Sequence, residues 1–533
     1  MKKSLSAAFL MLAFHFPTLA VPAYATTATP VRGGTLQAIV QPEPTALTSS
    51  FQNTFPNLIV SANIFDGLLT YDENSKPRPG LAERWEVAPD GLTITFHLRH
   101  GVKWHDGKPF TSADVKFSLL EVWKKLHTRG RVTFAPVTSV DTPDEHTVVL
   151  HLAHPSIVIL SALNAVESQV IPKHIYEGTD FNKNPANVRP IGTGAFKFKR
   201  WNKGQYIELE RNPDYWDSGK PYLDKLIFRI IPDAGSRAVA LETGEVQYAP
   251  YDAVAHSDVK RLEQTGNLRV TTNGYSWQAQ NVFLEFNLRN PILEKLKVRQ
   301  TIAHAIDVNN LIKTVWYDFG KPATGMIPSS LSDFYTTDGV PQYRFDPARA
   351  EALLDEAGYP RKENGVRFSL KLDYQPFNEA YKFHSEYLRQ NLKAIGIAVT
   401  VRNQDLPSFI KRVYTDYDFD INTGQISPYL DPQIGGIRHY WSKSIAKGVP
   451  WTNASNYSNP AADKIIERIQ VSNDPKERFR LFHDLQRIGM KDLPVLPLFE
   501  IQHFTLYSSK LHGVGAEPDA AISSLKNIWI EHE

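Results

Sequence analysis

The sequence predicts a two-lobed α/β protein, and three observations carry that expectation. The first half is dominated by strand-like alternation. After about residue 290 helices begin to feed strands. No low-complexity stretch separates the two textures, so the lobes should be joined by extended backbone, as a hinge is built. With 533 residues and 42% apolar content the chain can bury several cores, which suggests two or three domains.

Ahead of these elements stands an expected export signal, residues 1–25. Lys2 and Lys3 give a positive start, "LSAAFLMLAF" (5–14) is too short to span a bilayer, and Ala23-Tyr24-Ala25 fits a cleavage site. The expected mature chain begins at Thr26. Removing two lysines and no acid takes the formal charge from +2 to zero, which gives no electrostatic case for nucleic acid or an anionic membrane. The chain has no cysteine, which excludes disulfides, thiolate metal sites and the acylated cysteine of a bacterial lipoprotein. Export without a membrane anchor points to the periplasm of a double-membraned bacterium.

In order along the chain, "LTITFHLR" (92–99) alternates Leu92, Ile94, Phe96 and Leu98 against Thr93, Thr95, His97 and Arg99, a half-buried strand after the Asp90-Gly91 turn. "TSADVKFSLLEVWKKL" (111–126) has helical spacing. "HTVVLHL" (146–152), "GAFKFKRW" (194–201), "YIELER" (206–211) and "KLIFRII" (225–231) are further strands. In the second half "LKVRQTIAHAIDVNNLIKTVW" (296–316) places Val298, Ile302, Ala305 and Ile306 on one helical face. "DPARAEALLDEAGY" starts with Asp346 as N-cap and Pro347 at the first helical position and stops at Gly358. "FNEAYKFHSEYLRQNLKAIGI" is a helix ending at Gly396, and Asn459-Pro460 and Asp474-Pro475 open two more.

Four blocks then carry a resemblance: "LAERWEVAPDGLTITFHLRHGVKWHDGKPFTSADVKFSL" (81–119), "RPIGTGAFKFKRW" with "RNPDYW" (189–216), "LKVRQTIAHAID" (296–307) and "FDPARAEALLDEAGY" (345–359). Together they make the chain similar to the large extracytoplasmic solute-binding proteins of ABC importers, family 5, the dipeptide, oligopeptide and nickel group. The resemblance spans essentially the whole mature chain. It implies a type II periplasmic-binding-protein-like fold with an extra subdomain. Lobe I would be 26–279 plus 500–533, with an inserted subdomain about 56–184, and lobe II 280–499. The crossings fall near "QNVFLEFN" (280–287) and "FEIQHF" (499–504). It also implies a monomer that closes on a small-molecule ligand and serves an ABC permease and its ATPase, without a cofactor of its own.

Most signature residues read as scaffold: Trp85, Trp104, Asp106-Gly107, and Gly192 to Gly194 as a turn rather than a nucleotide loop. The sequence holds no G-x-S-x-G elbow, H-E-x-x-H helix, Walker loop or EF-hand loop, and no carboxylate pair stands out for acid–base work, so an enzyme is not expected. Among the 17 histidines, His151 with His154 and His503 with His512 lack a third partner at metal-ligand spacing. Nickel relatives bind metal through small chelators, which leaves a chelate-binding subunit as the alternative, beside a ligand sensor or chaperone on the same fold.

The ligand loop is expected at "GQISPYLDP" (424–432). In the peptide-binding relatives this loop runs Gly-Trp, two residues, then an Asp that pairs with the peptide α-ammonium. Here Gln425 stands at the Trp position and Pro428 at the Asp position. A buried ammonium without a carboxylate costs several kcal/mol, about that much even after relaxation. Either Glu43, Asp431 or Glu500 compensates, or the ligand's amine is not read here. The second reading favours a sugar conjugate, an opine-like solute or a modified peptide over a free dipeptide. The expected lining is Gln425, Ser427 and Tyr429 from this loop, Tyr275, Trp277 and Gln278 before the first crossing, Arg438 for a carboxylate or phosphate, His503 at the second crossing and Glu43 from the 41–50 loop.

Overall fold

The computed structural model describes residues 29–51, 54–72, 74–278, 280–376, 379–519 and 522–531. The expected export signal, 1–25, lies outside them. Among the described residues no helix is long and apolar enough to cross a membrane.

Three sheets organise the chain. A seven-stranded sheet has the order Leu268–Thr271, Thr505–Ser508, Tyr248–Ala249, Thr35–Val40, Lys225–Ile230, Tyr206–Arg211, Phe196–Asn202. Its centre is parallel, Thr35 beside Lys225 through Val40 beside Ile230. Between its first two strands in chain order is inserted a four-stranded antiparallel sheet of Ala82–Val87, Thr93–Leu98, Thr147–Leu152 and Val137–Asp144. The expected alternation is realised over Thr93–Leu98, where Ile94, Phe96 and Leu98 are buried and the residues between them half-exposed; Leu92, expected on the same buried face, precedes the strand and is 37% exposed.

A six-stranded sheet has the order Gly320–Pro322, Val495–Ile501, Asn281–Phe286, Ile421–Ile426, Phe368–Tyr374, Ile397–Arg402. Val495–Ile501 and Asn281–Phe286 are buried at every position, as strands covered on both faces must be. The chain passes between the seven- and six-stranded sheets twice, between Thr271 and Asn281 and between Ile501 and Thr505. After the second passage the C-terminal segment returns to the first body, where Leu511, Ile522, Leu525 and Ile528 join its core.

The predicted caps hold the second-half helices. Asp346, Asn459 and Asp474 each accept a backbone N–H at the start of Pro347–Glu356, Pro460–Val471 and Pro475–Asp492, and Gly358 and Gly396 take the left-handed backbone that ends a helix. Two helices differ from expectation. The 296–316 segment is two helices, Leu296–Ala305 and Val308–Val315, because Asp307 leaves the helical register to cap the second through Asn310 N. The 111–126 segment tightens into Ser112–Phe117 and then widens to a π-turn over Ser118–Trp123. The Gly192–Gly194 turn has a packing cause. A Cβ on Gly192 would lie 1.8 Å from the Ile64 carbonyl oxygen, and Gly194 N donates to that same oxygen at 2.8 Å.

Candidate ligand-binding cleft

The 421–426 strand carries the loop to the seam between the two bodies. Gln425 N donates to Gln375 Oε1 at 2.9 Å, and its Oε1 accepts the Tyr381 hydroxyl at 2.6 Å. Its NH2 has no acceptor among the described residues. Ser427 Oγ accepts from Gln280 Nε2 at 2.6 Å. Pro428 is buried, and Tyr429 adopts φ +59°, a backbone conformation unusual for a residue with a side chain. Pro432–Gly435 then folds as one helical turn directly over Ser427, leaving room only for glycine at 435, where a Cβ would lie 1.9 Å from the Ser427 carbonyl.

Beyond Tyr429 the loop reaches the other body. Leu430 and Ile434 are buried in the core built on the first two sheets. The Tyr429 ring lies 4.1 Å from the Arg129 guanidinium, a cation–π contact. Arg129 in turn grips Glu167 with two bonds, Nε to Oε2 at 2.7 Å and Nη2 to Oε1 at 2.5 Å, and both side chains are nearly buried. Arg438 stands beside this pair. Burial, with the neighbouring Arg129 charge, depresses its guanidinium, while Tyr429, Tyr414 and Glu167 favour the cation. Its Nε is buried without an acceptor, and no carboxylate among the described residues pairs with it. Arg438 thus adds a second guanidinium beside the Arg129–Glu167 pair. That arrangement can receive a carboxylate or phosphate through a planar two-pronged contact.

Tyr251 closes the same region from the first body. It takes φ +58°, stacks on Phe55 at 4.1 Å and on His503 at 4.5 Å, and neighbours Tyr429, Tyr381 and Gln280.

Of the residues expected from sequence, Gln425, Ser427, Tyr429 and Arg438 come together here. Tyr275 and His503 sit at the crossings and are fully engaged. The Tyr275 hydroxyl donates to Phe504 O at 2.9 Å and accepts Tyr251 N–H at 2.8 Å. His503 is buried between Asp252 at 2.5 Å and Gln280 at 3.0 Å. Trp277 is not a wall of this cleft: 3% exposed, it packs edge-on to Tyr71 at 5.3 Å inside the first core. It also lines a separate cavity of about 110 Å³ under the C-terminal segment. Gln278 ends the turn Ser276–Gln278, and its side chain lies outside the described residues. Glu43 is placed elsewhere, accepting Trp201 Nε1 at 2.9 Å and Gly204 N at 3.0 Å over the 196–211 hairpin.

The other two acids considered for an ammonium are also committed. Asp431 and Arg478 form a buried pair at 2.5 Å, and Glu500 accepts from Ser329 and pairs with Lys321 at 3.3 Å. The candidate histidine pairs separate as well. His151 bonds Asp141, and His512 stacks on Trp529 at 4.0 Å. Among the described residues no three His, Asp or Glu side chains converge as a metal site would require.

Sequence reasoning missed Arg129, Glu167, Tyr251, Tyr381 and Gln280. Glu167 left a signal, a lone acid within the apolar run "SIVILSALNAVESQVI" (156–171), and such an acid needs a buried partner.

Two α/β bodies joined by two crossings, with a polar, cationic seam between them, define a two-domain solute-binding protein of the periplasmic-binding type. The chain belongs to the bacterial extracellular solute-binding proteins, family 5, whose model matches residues 76–448. It is 32% identical over 458 residues to a putative ABC transporter peptide-binding protein of Brucella ovis, covering 84% of this chain and 83% of that one. The structure is similar to the oligopeptide-binding protein AppA of Bacillus subtilis in complex with a nonapeptide (26% identity, TM-score 0.79, 95% of this chain and 100% of that chain). It is also similar to AgaA of A. tumefaciens R10 in complex with agropinic acid (26% identity, TM-score 0.76, 94% and 99%).

Proposed function

We propose that this chain is the periplasmic solute-binding subunit of an ABC importer. It captures a small carboxylate-bearing solute, peptide-like, opine-like or a glycoconjugate, without reading a free α-ammonium at the 424–432 loop. The bodies, 26–279 plus 500–533 and 280–499, close on the solute about the two crossings, and the closed monomer is presented to a permease and its ATPase. No bond is made or broken in the solute. Closure is favoured only by the extra affinity of the solute for the closed form.

The observation that carries this reading is Arg438, half-buried at the seam with its Nε inaccessible and without an acceptor, and beside an Arg129 whose charge Glu167 already shares. Pro428, in place of an acid, and the commitment of Glu43, Asp431 and Glu500 to other partners support the absence of an ammonium site. Similarity to an opine-binding protein and to peptide-binding proteins places both solute classes within reach of the fold.

A thermal-shift series tests it, because a ligand that binds only the folded state raises Tm. Agropinic acid, N-acetylated dipeptides, the dipeptide Met-Leu and the nickel–histidine complex are the probes. The reading expects stabilisation by agropinic acid or an acetylated peptide, little by Met-Leu, and loss of the shift in Arg438→Gln. Strong stabilisation by Met-Leu, or a shift that survives Arg438→Gln, would overturn it. A shift confined to the nickel complex would move the chain to the chelate-binding alternative.

A further inference from the structure

A hydrogen-bonded line runs through both crossings. Phe504 N donates to Asp252 Oδ1 at 2.8 Å, and Asp252 Oδ2 lies 2.5 Å from His503 Nδ1. The other ring nitrogen, Nε2, lies 3.0 Å from Gln280 Oε1, and Gln280 Nε2 donates to Ser427 Oγ at 2.6 Å. Asp252 stands beside the seven-stranded sheet, His503 on the second crossing, Gln280 at the end of the first, and Ser427 in the ligand loop. Burial alone would raise the Asp252 carboxyl. The charge and hydrogen bond of His503, then His256 and the Phe504 amide, bring it below the ordinary carboxylate value. An ionised Asp252 can only accept, so Nδ1 carries hydrogen.

We propose that His503 is a positioning residue whose protonation decides what Ser427 shows to the cleft. With the ring doubly protonated, Nε2–H donates to Gln280 Oε1. The Gln280 amide then donates to Ser427, and the Ser427 hydrogen is free for an acceptor in the cleft. When Nε2 releases its proton to solvent it becomes an acceptor. The Gln280 amide turns over, giving its NH2 to His503 and its oxygen to Ser427, which must now donate inward and offers the cleft only lone pairs. One proton at the crossing therefore switches the loop between favouring acceptor-bearing solutes, such as carboxylates and carbonyls, and favouring donors.

The surroundings confine the titration to this line. The titratable groups around the ring are Asp252, His256 at the start of His256–Glu263, Tyr251 stacked on it, Tyr275 at 5.7 Å and, beyond Asp252, Tyr381. Burial lowers His256 and raises the three tyrosines. Across roughly pH 5 to 9 the tyrosines therefore stay neutral. The relay itself does not depend on which solute is bound, whereas its consequence for solute preference rests on the cleft reading above.

The test is a nitrogen NMR titration of ligand-free protein labelled at histidine and glutamine side chains, from about pH 5 to 9. The His503 signals are assigned by their loss in His503→Gln, or by their displacement in Asp252→Asn should the first variant not fold. Expected are an Nδ1 protonated throughout, an Nε2 that alone titrates, and a Gln280 amide signal that moves with the same midpoint. Asp252→Asn, which removes the carboxylate facing Nδ1, should move the Nε2 response to lower pH, and Gln280→Met should abolish the amide response while leaving the ring signals in place. Titration at Nδ1, a single charge state over the whole range, or a Gln280 amide indifferent to the ring would overturn the proposal. Because no solute is present, its failure is separate from a failure of the thermal-shift series.

Discussion

Arg438 and Asp431 lie seven positions apart and show two opposite uses of charge, the first half-buried and the second buried. Asp431 and Arg478 satisfy one another at 2.5 Å, both nearly inaccessible, and Asp431 also accepts Gln433 N at 2.9 Å. Asp431→Asn leaves a buried guanidinium uncompensated and should cost about 3 kcal/mol in urea unfolding. Arg438 is already uncompensated, so the expected sign is reversed. Arg438→Gln should raise the stability of the ligand-free protein by about 1 kcal/mol, since an unsatisfied buried polar group is itself destabilising. Paired melts without and with agropinic acid check both halves: a gain without solute and the loss of any gain from it. A variant less stable without solute would mean that Arg438 holds the fold together rather than awaiting an anion. These roles were only half legible in the sequence. "GGIRHYW" marked an arginine in a loop, but the acid that might have paired with it, Glu167, is far away in the chain, and only the folded packing shows that Arg129 holds it first.

At the scale of elements, what could be read from sequence was local, and what could not was long-range. Caps and stops at Asp346, Gly358, Gly396, Asn459 and Asp474 are decided within one helical turn, so they were visible. The break at Ile306–Asp307 was not, because the apolar period runs unbroken across it while the Asp307 cap and the Asn391 bond to Asp307 N override it. Trp277 and Glu43 lie away from the Arg438 seam for a similar reason. Proximity to a crossing in sequence does not fix which face of the turn meets the seam. The 424–432 loop is held by contacts no pattern announces, chiefly the bare approach of Gly435 to Ser427. Gly435→Ala forces the short helix away from the 427 carbonyl. It should destabilise the protein by about 2 kcal/mol and weaken solute binding more than Gly436→Ala, whose Cβ meets nothing nearer than 3.4 Å. Equal effects of the two alanines would remove the close approach as the cause.

For the molecule as a whole, acid should act on both bodies together. His105 and His127 lie in the first body and His384 in the second, and burial lowers them to about 4, about 4 and about 3. Each is held neutral by its bonding. His105 Nδ1 accepts Gly192 N at 3.2 Å while its Nε2 donates to Gly194 O, and His127 Nδ1 accepts Gly130 N at 2.9 Å. His384 Nε2 donates to Thr423 Oγ1 at 3.2 Å, because that hydroxyl spends its hydrogen on Phe283 O. In the unfolded chain a histidine titrates near 6.5, so between that pH and the folded values the unfolded state binds more protons. Stability is therefore complete above about pH 6.5 and falls as pH drops toward 4, by about 3 kcal/mol each for His105 and His127 and about 5 kcal/mol for His384 once fully developed. Carboxylates such as Asp252, whose folded pKa is depressed, add their own loss only lower, as pH falls through the carboxylate range. Urea midpoints measured from pH 8 to 4 should stay flat and then decline below about 6.5, and His384→Gln should make that decline shallower. A midpoint still unchanged at pH 5 would show that these three imidazoles take up protons inside the fold as readily as in the unfolded chain.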